Sequence, residues 1–435
     1  MRPWVSSIVG ATLLLAAPLA GQQPLSLAEA LATAATQSPM ARDAHWEREA
    51  READALGASA AFLPQVNVDL GALRTDDPVA VFGTKLRQGR FAEADFAIDA
   101  LNFPSAVTDV STTLSVEQPL FQPMALTGRG AARAGARAGR LSEERTGQVV
   151  AFEVIRAYFG ARLAADRVRV LDESLEAARQ TLAQVEKFRR EGVVTVVDEQ
   201  LARSRVSELE AARAASGAAV VAAADLLLHL IGSEPGAVVE LTDSLVLTDR
   251  FPADSGERAD LRALRAALEG QEARVLRARS QWLPSVGAFG NLAWHDEDFG
   301  VATGPRHWTA GLIVRWSPFR GLSDVGVLRR AEAEREAARS RLEAAERRAR
   351  AEVRAATAER DAARAGFAAA ESALAQASQA VRAAGSRYAV GVAVITELLA
   401  IRAAESSQRL ARLQALYQAR VADAALVLAL GGTPR

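Results

Sequence analysis

One stretch of the chain occurs twice, and this repetition constrains the fold more than any other feature. The first copy is KFRREGVVTVVDEQLARS, from Lys187 to Ser204, and the second is GSRYAVGVAVITELLAIRA, from Gly385 to Ala403. In each copy a helical pattern stops at a glycine, passes through small and β-branched residues and resumes at an acidic residue. Glycine commonly ends helices because it adopts the left-handed conformation without steric cost. Each copy therefore predicts the tip of a helical hairpin, at about residues 190–197 and 389–396.

Landmarks outside the tips repeat with the same spacing. Three pairs of residues have one common separation: Gly192 and Gly391, Pro119 and Pro318, and Gly232 and Gly431. Pro64 and Pro284 form a fourth pair whose separation is larger by about 20 residues, which predicts an insertion between Pro64 and Pro119. A fixed spacing of this kind indicates an internal duplication. The predicted organisation is a first repeat at 22–232, a small packing linker at 233–257 and a second repeat at 258–435.

The amino terminus is typical of a secretory signal peptide. Arg2 precedes an apolar run and then small residues up to Gly21, so residues 1–21 are predicted to be removed. The chain has no cysteine, which excludes a disulfide framework and an acylated amino-terminal cysteine. Beyond residue 21 we expect no apolar run of the roughly 20 residues that a membrane helix needs. A membrane-spanning part would therefore have to be a β-barrel.

Four segments alternate between apolar and polar residues with a period of two. They lie at about 65–73, 109–118, 285–294 and 308–317. Each has about the nine to eleven residues that a tilted strand needs to cross a bilayer. Tryptophans are expected to form membrane-interface anchors at the strand ends: Trp294, Trp308 and Trp316. Four strands are too few to close a barrel, since the smallest have about eight, so closure requires several chains.

The remaining sequence predicts long helices. Apolar residues recur with heptad spacing before each tip, as in a coiled coil, and aromatic residues make up only 5% of the chain. The net charge is −1 and the basic residues are interleaved with acidic ones, which argues against nucleic acid as a partner. No nucleophile–base constellation, phosphate loop or metal-ligand spacing is present, so neither an enzyme nor a bound cofactor or metal is expected.

These features together resemble the TolC family of outer-membrane efflux proteins. The resemblance covers the whole mature chain and rests on the duplicated plan, the Leu-Pro before the first strand of each repeat, the EQPLF and WSPFR strand ends, the glycine tips, and the LLLHLIG and LVLALGG helix ends. The stretch between the first two predicted strands, with Pro78, Gly83, Gly89 and Pro104, has no periodicity and is expected to be a long surface loop. Its part from Asp76 to Phe96 also looks like a loop found in one branch of the family.

The resemblance implies a mainly α fold with a membrane β-barrel contribution. Three chains would form a twelve-stranded outer-membrane barrel continued by a long α-helical coiled-coil barrel across the periplasm. Such a homotrimer would be the passive conduit of a tripartite efflux or type I secretion system. Its partners would be a periplasmic adaptor (membrane fusion) protein, an inner-membrane transporter and outer-membrane lipid. The transported substrate and the identity of the adaptor do not follow from the sequence.

Two kinds of site follow from the resemblance. Members of the family meet the adaptor through their hairpin tips, which correspond here to Gly192, Val193, Val194, Gly391, Val392 and Ala393. The alternative is that each glycine merely permits positive φ and each valine packs locally.

The resemblance also implies a periplasmic gate. In the best-known member two carboxylates after the second tip narrow the closed end; the first falls on Glu397, whereas the second position is Ala400. The tyrosine before the tip is kept as Tyr388, and an arginine of that member is replaced by Ala393. Asp198 is the corresponding carboxylate of the first copy. A capping box from Thr195 explains Asp198 structurally, and no such explanation is expected for Glu397.

A soluble periplasmic coiled-coil scaffold is the alternative function. In that case the strands would form a soluble sheet. The two hypotheses differ at the strands, because a scaffold has no reason to place tryptophan at strand ends around an apolar band.

Overall fold

The computed structural model describes residues 23–237, 239–247, 256–390 and 392–435. The predicted signal peptide and Gly391 lie outside the described residues. The chain divides into two compact units. The first, the tip unit, comprises Met1–His45, Glu143–Arg258 and Arg348–Arg435. The second, the sheet unit, comprises Trp46–Ser142 and Ala259–Arg347.

Helices dominate the secondary structure and agree with the predicted mainly α class. The strands are β1 (Gln23–Leu25), β2 (Gln65–Thr75), β3 (Val107–Phe121), β4 (Val239–Leu241), β5 (Ser285–Asp296) and β6 (Arg306–Arg315). The α-helices are α1 (Leu27–Gln37), α2 (Pro39–Ala60), α3 (Pro78–Arg87), α4 (Ile98–Asn102), α5 (Pro123–Arg190), α6 (Val196–Leu230), α7 (Ala259–Ser280), α8 (Ser323–Ala389) and α9 (Ile395–Ala429).

The sheet unit contains an antiparallel four-stranded sheet with the order β2-β3-β5-β6. Strand β3 extends beyond the predicted end at residue 118, through Pro119 to Phe121. Proline cannot donate a ladder hydrogen bond, and the register with β5 shifts between Pro119 and Phe121. This β-bulge is how a central strand accommodates the proline.

The two faces of the sheet differ in polarity. One side of β3, here called the polar face, carries Asp109, Ser111, Thr113, Ser115 and Glu117. The other side, the apolar face, carries Val68 opposite Leu114 and extends across to Leu312 and Val314 of β6. Leu312 is 72% exposed and Val314 is 65% exposed. A large contiguous apolar surface of this kind indicates contact with lipid or another protein.

Residues 76–104, the insert, were expected to form a loop, and this prediction is wrong. The insert folds into α3, a short 3₁₀ helix at Glu93–Phe96 and α4. Asp77 caps α3 by accepting a hydrogen bond of 2.8 Å from the Ala80 amide. Three aromatic rings of the insert pack edge to face in a row, with successive centroids 4.8 Å and 5.0 Å apart: Phe82, Phe91 and Phe96. The helix signal was missed because a short helix shows little periodicity.

The tip unit has its main core around Tyr158, which is fully buried. The Tyr158 hydroxyl donates to the Leu25 carbonyl at 2.9 Å and accepts from the Asp243 amide at 3.1 Å. Leu25 ends β1, which pairs in parallel with β4 of the predicted linker. The linker strand is therefore tied to the amino-terminal strand next to this core.

Helix α6 contradicts the expectation that no segment beyond residue 21 is long and apolar enough for a membrane helix. An 18-residue window within it has a mean hydropathy of 1.5, so by length and composition α6 could cross a membrane. Only 11% of that window is buried within the chain, and its apolar character comes largely from alanine and valine. The prediction missed it because Asp225 and His229 interrupt the run.

Candidate functional site at the helical hairpin tips

The first tip is a glycine-terminated helix end followed at once by a capped helix start. Gly192 has φ +75°, and its amide donates to the Arg189 carbonyl at 3.0 Å. The Val193 amide donates to the Phe188 carbonyl at 2.8 Å. This pair of bonds is the Schellman motif, which satisfies the last carbonyls of a helix. The motif positions the exposed Val193 at the turn.

The second tip ends its helix in the same way. The Val392 amide donates to the Arg387 carbonyl at 2.9 Å, as Val193 does to Phe188. Helix α9 then begins after Val394, whose side chain makes no capping hydrogen bond. The two tips therefore share a helix end and differ in how the next helix starts.

Both tips contribute to one hydrophobic core within the tip unit. Its buried members are Val185, Ala202, Ala384, Tyr388, Ala393, Ile395 and Leu398. The rings of Phe188 and Tyr388 pack against it with centroids 6.0 Å apart. This core holds the two turns side by side.

The predicted docking residues divide into exposed and buried ones. Gly192, Val193 and Val392 are exposed, Val194 is half-buried and Ala393 is buried. Four further valines are also exposed at the turns, although the sequence did not single them out: Val196, Val197, Val390 and Val394. The chain therefore presents a small apolar surface at the tips.

Asp198 forms the predicted capping box. Its carboxylate accepts hydrogen bonds of 2.8 Å from the amide and from the hydroxyl of Thr195. The Thr195 hydroxyl in turn accepts from the Asp198 amide at 3.3 Å. This arrangement satisfies two amides at the start of α6.

Glu397 has a structural partner that the sequence did not reveal. The Arg387 guanidinium donates to the Glu397 carboxylate at 3.1 Å, across the second turn. The expectation that Glu397 lacks a structural explanation is therefore corrected. The pair is more than a third exposed on both sides, so its contribution to stability is small.

Sequence reasoning missed Glu199, which is the most enclosed carboxylate at the tips. It is 4% exposed and pairs with Arg189 across the first turn and with Arg203 at 2.7 Å. The hydrogen bond from Arg189 is the main cause that lowers the pKa of Glu199. Arg189 and Glu199 are ten residues apart, as are Arg387 and Glu397. By its role, Glu199 is therefore the first-tip counterpart of Glu397.

Tyr388 lies between the two tips with its ring buried. Its hydroxyl is buried and finds no hydrogen-bond partner among the described residues. Burial raises the pKa of Tyr388, and the charge of Asp198 raises it further. The hydroxyl is therefore protonated at neutral pH and free to donate.

Two of the predicted interface aromatics, Trp294 and Trp308, lie on the apolar face of the sheet. Trp294 pairs with Thr112, and Trp308 pairs with Leu292 near the same end. Trp308 is 76% exposed. Trp316 follows β6 at the opposite end, where its indole donates to the Trp282 carbonyl at 3.0 Å. The eight steps from Trp308 to Trp316 span about 26 Å along the strand, and a strand tilt of about 40° reduces this to a height of about 20 Å, within an outer-membrane apolar band about 25 Å tall.

The sequence pattern of the family described as outer membrane efflux protein matches residues 30–233 and 255–432. The chain belongs to the outer membrane efflux protein family. The match includes the four strands of the sheet unit and both tips, and it omits the predicted signal peptide. No curated protein sequence matches the chain.

Solved structures have the same fold at low sequence identity. The outer membrane protein VceC of Vibrio cholerae superposes with a TM-score of 0.78 at 20% identity, covering 94% of this chain and 97% of that one. The Campylobacter jejuni CmeC channel superposes with a TM-score of 0.79 at 17% identity, and the match covers 94% of this chain and 86% of that one. The open-state MtrE channel of Neisseria gonorrhoeae superposes with a TM-score of 0.77 at 20% identity, and the match covers 94% of this chain and 89% of that one.

The protein is thus an outer membrane efflux protein, located in the outer membrane. It functions as the channel component of a tripartite efflux system, a passive conduit. It is not an enzyme, because the family consists of channel proteins. The alternative of a soluble periplasmic scaffold has no support from the family assignment.

Proposed function

We propose that three copies of this efflux protein close their sheets into one twelve-stranded barrel. Among the residues that the structure describes, β2 and β6 each have one edge without a partner strand. Each unpaired backbone group in hydrocarbon costs several kcal/mol, so an open sheet is unstable there. Pairing β2 of one chain with β6 of the next removes every edge. The open sheet with an exposed apolar face is the observation that carries this proposal.

The aromatic residues support the same arrangement. Closing the barrel around the polar face turns the apolar face outward to the lipid. Trp294 and Trp308 then lie near one membrane interface, and Trp316 lies near the other. Tryptophan is favoured at both interfaces because its ring is apolar and its indole N–H is polar.

Exposed apolar side chains on α6 are a second argument for a trimer. Val221 is 61% exposed and Leu226 is 54% exposed, although both lie in the most apolar part of the helix. A helix that is long and apolar but mostly uncovered needs a partner. In the proposed trimer, α6 of one chain packs against the helices of its neighbour.

The tips of the trimer are proposed to dock a periplasmic adaptor protein, which links the channel to an inner-membrane transporter. The exposed valines Val193, Val197, Val392 and Val394 bury little within the chain. Gly192 would shape the first turn, Gly391 is the corresponding position of the second tip in the sequence, and Val194 and Ala393 would support the turns from the core. An apolar tip of this kind suits the apolar stripe of a helical hairpin from the adaptor.

We assign the gate to the same tips. Glu397, Asp198 and Tyr388 would surround the constriction in three copies each. Carboxylates arranged in a ring favour cations and repel one another. Opening requires the tips to separate, so the ion pairs across each turn preserve the shape of a tip while it moves.

Oligomeric state and conductance test the proposed channel together. The full-length protein extracted from membranes with detergent should run as a trimer and should form channels in planar lipid bilayers. A monomer that is recovered from the periplasm without detergent, or a trimer without conductance, would contradict the proposal.

Photocrosslinking in cells tests the docking surface. A photoreactive amino acid at Val193 or Val392 should capture a periplasmic adaptor, identified by mass spectrometry. The same probe at Val314, an equally exposed valine on the apolar face of the sheet, should not capture it. Equal capture from all three positions, or none from the tips, would reject the docking role.

A further inference from the structure

We propose that the insert is an outer gate: three copies of it meet inside the outer mouth of the barrel and close it through apolar contacts. This inference rests on the proposed trimer. The exposed apolar surface of each insert is covered by the inserts of the two other copies of the chain.

The insert lies on the polar face of the sheet. Gln88, which is 5% exposed, donates from its side-chain amide to Asp109 at 3.3 Å and to the Thr108 carbonyl at 2.8 Å. Asp109 also bonds the His295 ring at 3.0 Å. Asp109 and His295 both belong to the polar face because His295 pairs with Ser111.

The insert also reaches across the sheet toward its far edge. Gln88 donates to the Asp296 carbonyl at 2.9 Å, at the end of β5. The Arg87 carbonyl is bonded by the His307 ring at 2.8 Å, and His307 is on the polar face of β6. The insert leaves the sheet from β2 and is therefore held over β3, β5 and β6. Its own aromatic cluster keeps it ordered.

The polar face is the inside of the proposed barrel. The apolar face must contact lipid, so everything attached to the polar face lies in the lumen. The contacts occur where β2 ends and β3 begins, which is the end of the sheet away from helices α2 and α5. The insert therefore occupies the outer mouth of the channel.

Helix α3 has two opposite faces with different surroundings. Val81, Thr84 and Gln88 are buried against the sheet. Val79 and Leu86 lie on the other side of the helix, at 100° per residue, and are 81% and 49% exposed. Ile98 and Phe103 of the insert are also strongly exposed. Such an apolar surface in an aqueous lumen requires a cover.

The dimensions of the barrel allow the three inserts to cover one another. Twelve strands about 4.8 Å apart and tilted by about 40° enclose a barrel about 24 Å across at the backbone. Side chains that point inward narrow this bore, whereas three helices of about 10 Å diameter side by side occupy a circle about 22 Å across, so three inserts fill the mouth completely. Three copies of α3 are therefore sufficient to block the bore. An apolar constriction excludes water and ions until it opens.

Crosslinking tests the contact between inserts. The chain has no cysteine, so single-cysteine variants report one position each. In the purified trimer, V79C should give covalent dimers with a short bismaleimide. V314C on the apolar face is the matched control and should give none. Absence of dimers from V79C would overturn the proposal. Labelling of V79C by a membrane-soluble maleimide but not by a water-soluble one would also overturn it, because it would place Val79 in lipid.

Conductance tests closure. A variant in which a short Gly-Ser linker replaces residues 77–104 should show single-channel conductance several-fold above that of the natural chain. The double variant Val79→Ser, Leu86→Ser keeps the insert and should raise conductance in the same direction. Trimers whose conductance is unchanged in both variants would overturn the outer gate and leave the proposed channel intact. If the natural chain forms neither trimers nor channels, the proposed function and this inference both fail.

Discussion

Arg387 and Glu397 meet at 3.1 Å across the second hairpin turn, ten residues apart in the chain. Arg189 and Glu199 make the same kind of contact across the first turn, but there the carboxylate is enclosed and has Arg203 as a second partner. Each tip therefore has an arginine–glutamate ion pair across its turn, and the pair is more buried in the first tip than in the second. This difference separates a carboxylate that remains partly exposed to solvent from one that is enclosed and holds the turn together.

Glu397→Gln should lower the cation selectivity of the channel with little loss of stability. The ion pair with Arg387 is exposed, and such pairs contribute about 0–1 kcal/mol. The measurement is the reversal potential in a salt gradient across a planar bilayer. Glu371→Gln is the control, since Glu371 pairs with Arg412 at 3.0 Å with similar exposure. Equal selectivity in the natural chain and Glu397→Gln would remove Glu397 from the gate.

Glu199→Gln should loosen the first tip more than Glu397→Gln loosens the second. The substitution leaves Arg189 and Arg203 without their carboxylate. Because the folded-state pKa of Glu199 is lowered, its stabilising effect is complete above the usual value of 4.5 and is lost as the pH falls through the lower folded-state value. The hydrogen-exchange protection factors of residues 186–203, which are corrected for the intrinsic pH dependence of exchange, should therefore fall in acid. A Glu199→Gln protein with the same acid dependence would contradict this assignment.

Asp198→Ala should fray the start of α6. Loss of a capping box costs about 1 kcal/mol, and Thr195→Ala should cost a similar amount because it breaks the same box. Hydrogen exchange at residues 196–199 measures the fraying. A change of ion selectivity in Asp198→Ala but not in Thr195→Ala would assign Asp198 a lumenal role in addition to capping. Matching selectivity in the two variants would leave capping as its role.

Tyr388→Phe should leave stability unchanged or slightly raise it. The buried hydroxyl has no partner among the described residues, so its removal relieves an unsatisfied polar group. Tyr388→Ala should instead cost about 3–5 kcal/mol, because it opens a cavity in the core shared by the tips. Thermal unfolding of the trimer compares the two variants. If the hydroxyl acts in gating, Tyr388→Phe will change channel opening without a change in unfolding temperature.

Leu312→Arg, midway between Trp308 and Trp316, should prevent assembly in the membrane, whereas Ile313→Arg should not. The two residues are neighbours on β6 but point to opposite faces of the sheet. An arginine on the lipid face costs about 2–4 kcal/mol near the bilayer midplane, and one facing a wet lumen costs much less. The yield of heat-labile trimers in outer-membrane fractions is the measurement. A similar yield for both variants would contradict the assignment of the apolar face to lipid and of the polar face to the lumen.

The tips and strands could be predicted because their signals are local. Gly192 determines a turn through its own φ, and the Thr195–Asp198 capping box involves residues three apart. The alternation that places Val68 and Asp69 on opposite faces depends only on the geometry of a strand. The family, the outer-membrane location and the channel function follow from such patterns together with their duplication.

Tertiary structure decided what depends on residues far apart in the chain. No periodicity reveals that Arg189 and Arg203 enclose Glu199, because the contact forms only when the turn brings two helices together. The position of the insert depends on Gln88 bonding Asp109 and the end of β5, more than 200 residues away. By itself the sequence determined the four sheet strands, the long helices and the two tips, but not the short helices of the insert. Only the packed chain decided which charges are enclosed and which face of the sheet the insert covers, because these depend on non-local contacts.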